Sequence, residues 1–226
     1  MPMQSPPIFE PSHTPSHFLP LTLWLGIQLL VLLAAATQIR LSDQFPRPPE
    51  RLALDEMLVA QVAMAAMLFP LLLRNAATTA LVVAASWPFV QLAGVLSSAS
   101  PVNVFSAGCY VSVWLVVLGL CSPLLRTEKA KMLAVATATA AALGGALIWY
   151  VRAEFAFDPS EPSSAAASAM GPIVGALAAS HGQAVAISVW GPMAIALAIS
   201  LTAAVIAWIR RGKTLNKGHA IVSTPV

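Results

Sequence analysis

The sequence predicts an all-α protein, a polytopic integral membrane bundle of about six transmembrane helices. Three observations carry the prediction. Hydrophobic residues make up 58% of the chain and charged residues only 9%, whereas soluble domains carry about 25% charged residues. Mean hydropathy is +0.79. Six apolar stretches alternate with short polar segments, and each is close to the roughly 20 residues a helix needs to cross a bilayer. The basic balance, net +3 with pI ≈ 9.2, does not indicate nucleic acid. Positive charge beside apolar spans is the ordinary signature of membrane loops.

Residues 1–18 hold Pro2, Pro6, Pro7, Pro11 and Pro15 without apolar periodicity, which reads as a disordered tail. His13 and His17 lie in it as solvated side chains rather than a metal pair. No basic segment precedes the first span, so that span is expected to be retained rather than cleaved. It covers about Phe18–Thr37. A link with interleaved charges follows, Arg40, Asp43, Arg47, Glu50 and Arg51.

The second span runs from about Leu52 to Leu73. Asp55 and Glu56 open it, where the positive end of the helix dipole favours acids. Met57, Met64 and Met67 recur along it as packing residues. The third span, about Thr78–Leu96, contains Trp87-Pro88, where a missing amide and a ring clash predict a kink. The fourth, about Val102–Leu125, has Asn103 and Ser106 as expected caps. Gly108 and Ser112 in it are spaced to let another helix come close. Cys109 and Cys121, twelve residues apart on this helix, are separated by about 18 Å and cannot bridge each other.

The fifth span, about Met132–Val151, repeats the small-residue pattern more densely. Ala136, Ala140 and Gly144 form one row, and Thr137, Ala141 and Gly145 its neighbour. We expect this helix to be tightly packed among the others, with the Pro101–Trp149 hairpin as the packing centre. The link 152–186 is the longest. Its acidic start gives way to a small, apolar stretch over 165–180, too short to span and read as interfacial or re-entrant. The sixth span covers about Ile187–Ile209. Residues 19–210 form one transmembrane domain, followed by a basic tail over 211–226.

Orientation follows from the lysines and arginines. One set of segments comprises the amino tail, the turn at Arg74, the link with Arg126, Lys129 and Lys131, and the carboxyl tail from Arg210 and Arg211 onward. It carries eight of the twelve basic residues. The positive-inside rule places that set, and both termini, in the cytoplasm of a cell inner (plasma) membrane. Trp149 and Trp208 fall near span ends, as interfacial anchors do.

Few residues carry chemistry. Gln61 and Gln91 lie in neighbouring antiparallel spans and are the candidate intramembrane polar site, either a polar pathway or interhelical glue. Ser180-His181 invites a hydrolase reading, but no Gly-x-Ser-x-Gly elbow accompanies it. There is no Gly-rich phosphate loop, no Cys/His cluster with metal spacing and no ionisable residue deep inside a span. No cofactor is expected, and no nucleic-acid partner. The partners expected are the lipid bilayer and either other membrane subunits or a second copy.

Residues 80–149 carry Ala85-Ser86-Trp87-Pro88, a polar break over 97–103, the run Ser112 to Leu120, and Lys129-Ala130-Lys131 at the start of the next helix. In these features the chain resembles bacterial Yip1-type multi-span membrane proteins. The resemblance covers a third of the chain and implies a membrane-organising or trafficking-related protein without catalytic residues. The expected function is therefore a non-enzymatic scaffold or accessory component. The alternative is a small permease subunit of ABC type, for which the very short turn between the second and third spans leaves no room for the helix that would contact an ATPase. An intramembrane hydrolase is the remote third.

Overall fold

In hydrocarbon every backbone N–H and C=O must be paired within the chain, so apolar spans become helices. The computed structural model describes residues 18–42, 52–73, 75–125, 127–154, 171–182 and 187–221. They form α1 (Phe18–Ser42), α2 (Leu52–Leu72), α3 (Ala76–Leu96), α4 (Pro101–Cys121), α5 (Glu128–Glu154), a short α6 (Pro172–Ser180) and α7 (Ile187–Ile221), with one 3₁₀ turn at Ser122–Leu124. Six of these helices are long and apolar enough to cross a membrane. The chain is a helical, multi-pass membrane bundle. The tail before α1 and most of the 152–186 link lie outside the described residues.

The helix ends follow from local chemistry. Asn75 caps α3, its Oδ1 accepting from Thr78 N at 2.7 Å and from Thr78 Oγ1 at 2.6 Å. Thr127 caps α5 by accepting from Ala130 N at 3.1 Å. Pro101 and Pro172 stand in the first turns of α4 and α6, where a missing amide removes a donor that would have no partner anyway. The cap position of α4 is Ser100 rather than Asn103 or Ser106. The helix α3 runs continuously through Trp87-Pro88. Similarly, α7 continues to Ile221, so part of the expected basic tail is helical.

The middle of the bundle is α2 and α4. The first packs with α1, α3, α4, α5 and α6, the second with α2, α3, α6 and α7. Trp24 and Phe69 meet edge to face at 5.2 Å, and Tyr110 and Trp190 at 5.4 Å. Met57 is fully buried, but Met67 faces outward. The hairpin expectation needs correction here. Its first arm is central, with 56% of the most apolar stretch of α4 buried, whereas α5 has only 17% buried and lies on the outside. The inward face of α5 is the row Ala138, Ala142 and Gly145; Ala136 and Ala140 are exposed. Neither expected row faces inward as a whole: Thr137 and Ala141 are exposed too, and only Gly145 of the second row is buried.

Of the 165–180 stretch the structure describes residues 171–180, and the short α6 there is buried along most of its length. At nine residues it is about 14 Å long and cannot cross. Its direction can be read from two close approaches to α4. A Cβ on Gly182 would lie 3.4 Å from Asn103 Oδ1, and one on Gly175 would lie 2.0 Å from Tyr110 Oη. Both pairs are seven residues apart, so α6 runs antiparallel to α4. Gly171 then falls level with Trp114, about 20 Å into α4. There it touches α5: a Cβ on Gly145 would lie 2.5 Å from Gly171 Cα. The amino end of α6 therefore stands near mid-bundle, held backbone to backbone by two glycines.

Candidate functional site

Two polar clusters stand out. The first joins α1, α2 and α3 near mid-bundle. Gln61 donates from Nε2 to Gln28 Oε1 at 2.7 Å and more weakly to the Ser86 carbonyl at 3.5 Å. Trp24 Nε1 donates to Ser86 Oγ at 3.0 Å, and that hydroxyl donates to Val82 O at 2.8 Å. Gln28 and Gln61 are both 0% exposed. Each keeps one amide atom without a partner, Gln28 Nε2 and Gln61 Oε1. These are a donor and an acceptor on the same amide pair, so a small rotation would pair them reciprocally.

Gln91, the expected partner of Gln61, is exposed on the outward side of α3. Helix depth explains the difference. Gln28 and Gln61 both lie near the middles of their helices, whereas Gln91 is five residues from the end of α3. Matching depth from each helix midpoint would have found Gln28 in the sequence. Ser112 and Gly108 line a small void beside Gln61 that has no room for a water molecule. Gly108 is also where α3 comes close, since a Cβ there would meet the Trp87 ring at 3.1 Å.

The second cluster is at the opposite end from the basic links. Asp55 in the first turn of α2 receives the Ser180 hydroxyl on Oδ1 at 3.0 Å and meets His181 Nε2 through Oδ2 at 3.2 Å. Ser180 also donates to Leu177 O at 2.7 Å. Gly182, with φ +80°, turns the chain out of α6 beside Asn103, a conformation that L side chains rarely adopt. The neighbouring α3–α4 turn caps α2, with Ser97 Oγ accepting from Leu54 N at 2.8 Å. Sequence reading had Ser180 and His181 but missed Asp55, which is 125 residues away from Ser180 and looked like a dipole residue. These bonds make the cluster a clasp between α6 and α2.

At the basic end, Ser122 Oγ donates to Leu73 O and so satisfies a terminal carbonyl of α2. Cys121 Sγ lies 3.5 Å from Ser200 Oγ and ties α4 to α7; Cys109 and Cys121 are both free thiols. Lys131 bonds Glu128 at 2.6 Å in the first turn of α5, and Lys129 is exposed beside it. Arg126 lies outside the described residues, and Arg210 and Arg211 lie within α7. In the outward row of α5, a Cβ added to Gly144 meets nothing within 4 Å. No protein-family model, no curated protein and no solved structure matches the chain.

Proposed function

We propose that this multi-pass membrane protein is a non-catalytic component of a cell inner membrane, with its basic end cytoplasmic, that assembles with a second copy or with another membrane subunit. The observation that carries the reading is the sealed amide pair. Gln28 and Gln61 sit at mid-bundle with no exposure and bond each other, so the deepest polar groups described serve helix association. The resemblance of residues 80–149 to Yip1-type proteins agrees with a membrane-organising role. The outward face of α5 is the surface available for assembly. Ala136, Ala140 and Gly144 line it, and a Cβ on Gly144 would meet nothing within 4 Å among the described residues. Small residues let backbones approach closely in lipid.

The test is purification in mild detergent with co-purifying subunits identified, together with oxidative cross-linking of Ala140→Cys in a background carrying Cys109→Ala and Cys121→Ala. A cross-linked dimer, or a recurrent membrane partner that Gly144→Leu releases, supports the reading. A Gln61→Leu protein that keeps its stability but loses transport of a solute would sink it. That outcome would favour the second reading, a small permease subunit. The observation behind that one is α6, because half-length helices ending at mid-membrane build substrate sites in transporters.

A further inference from the structure

A groove of about 350 Å³ runs between α3, α4 and α7 at the basic end of the bundle. We propose that it binds one acyl chain of an anionic membrane phospholipid. The groove arises because α3 and α7 both pack on α4 but hardly on each other. Its floor is the tight contact of Gly119 with Thr79, where a Cβ on the glycine would lie 2.2 Å from Thr79 Cγ2. Its facing walls are short side chains, Ala76 and Ala80 on α3 and Ala204 and Ala207 on α7, with Trp208 at one edge. Larger residues at these four alanines would close it.

The occupant follows from the surroundings. The walls are apolar, and α3 and α7 carry the exposed apolar side chains Leu81, Val205 and Ile206, as surfaces in contact with lipid do. A void there forfeits dispersion contacts along its whole lining. The apolar objects available at that place are lipid chains. The groove has room for a stretch of one acyl chain.

Charge selects the headgroup. Arg210 and Arg211 follow Trp208 directly along α7, two and three residues on. In the sequence, Arg74 precedes the α3 cap Asn75, and Arg126 comes two residues after the groove residue Leu124. Glu128, two residues after Arg126 in the sequence, is paired with Lys131. Trp208 is 76% exposed beside the groove, suited to the headgroup boundary where tryptophans gather. Each arginine near a charged membrane surface favours an anionic lipid by about fivefold at ordinary temperature.

The experiment is native mass spectrometry of the full chain released from detergent micelles doped with equal amounts of phosphatidylglycerol and phosphatidylcholine. The wild type is expected to retain one phosphatidylglycerol per chain, at least about fivefold over phosphatidylcholine. Ala80→Phe and Ala204→Phe, which fill the groove from opposite walls, are expected to abolish retention of both lipids. Arg210→Gln with Arg211→Gln is expected to bring phosphatidylglycerol down toward the phosphatidylcholine level. Equal retention of the two lipids by the wild type overturns the proposal. So does undiminished phosphatidylglycerol on a folded phenylalanine variant. Loss of a dimer in those variants with lipid retention unchanged assigns the groove to a second copy instead. Should both phenylalanine variants unfold, the arginine pair decides, because neither arginine is part of the groove lining.

Discussion

Gly144 and Gly145 are adjacent in α5 and differ in one respect. A Cβ at 144 meets open space, and a Cβ at 145 would lie 2.5 Å from Gly171 Cα and 2.8 Å from Gly171 N. Replacing either by alanine brings the same helix-propensity gain, up to about 1 kcal/mol. That term cancels when the two variants are compared. What remains is the collision of a methyl with the backbone of Gly171, which cannot swing aside as a side chain would. Overpacking of this kind costs about 1–3 kcal/mol. For a protein of this size 1 kcal/mol corresponds to roughly 2–4 °C. Gly145→Ala should therefore melt about 2–12 °C below Gly144→Ala. Unfolding of a membrane protein in detergent is rarely reversible, so the comparison is made at one scan rate and on monomeric fractions. Amide exchange supplies a second readout: Gly171 starts α6, so exchange over 172–180 should rise in Gly145→Ala alone. Equal shifts for the two variants, or a higher melting point for Gly145→Ala, would mean that α6 does not stand against α5 at mid-bundle.

Three further outcomes are expected. Gln28→Leu or Gln61→Leu alone strands a buried amide and should lower stability by about 1–3 kcal/mol, whereas the double variant should lose less than the sum and Gln91→Leu should change it by under about 0.5 kcal/mol; additive losses in thermal melts of the full cycle would dissolve the pair. Ser180→Ala should loosen the outer end of α6 more than His181→Ala does, because Ser180 is fully buried and the His181 side chain is 45% exposed; amide exchange at the end of α6 measures this, and the reverse order would refute the clasp. Ser163→Cys and Thr214→Cys, each in a background carrying Cys109→Ala and Cys121→Ala, should react with an impermeant maleimide from opposite faces of the membrane; labelling from one face would break the six-crossing topology.

Much of this architecture is legible without coordinates, for a physical reason. A bilayer leaves a helix as the solution for a 20-residue apolar run, so the six spans appear in the sequence to within a few residues at most ends. Local chemistry explains the ends but was read less well: Asn75 and Thr127 cap and Pro101 and Pro172 begin helices, whereas Asn103 and Ser106, the expected caps of α4, lie inside the helix that follows Ser100. The signal weakens once a reading depends on rotation about a helix axis. All-apolar helices have no polar face to tell inside from outside, which is why the small rows of α5 were assigned to the wrong side and Gln91 to the wrong neighbour.

By itself, then, the sequence determined the fold class, the number of long spans and the basic character of one end, because those depend on local composition and length. The tertiary structure alone decided which residues meet. Gln28 with Gln61, Asp55 with Ser180 and His181, and Gly145 with Gly171 are separated by 33, 125, 126 and 26 residues, and lateral packing in lipid, with no hydrophobic force to order the helices, brings them together. The same packing buries the short helix Pro172–Ser180, and leaves between α3 and α7 a groove that no local pattern announces.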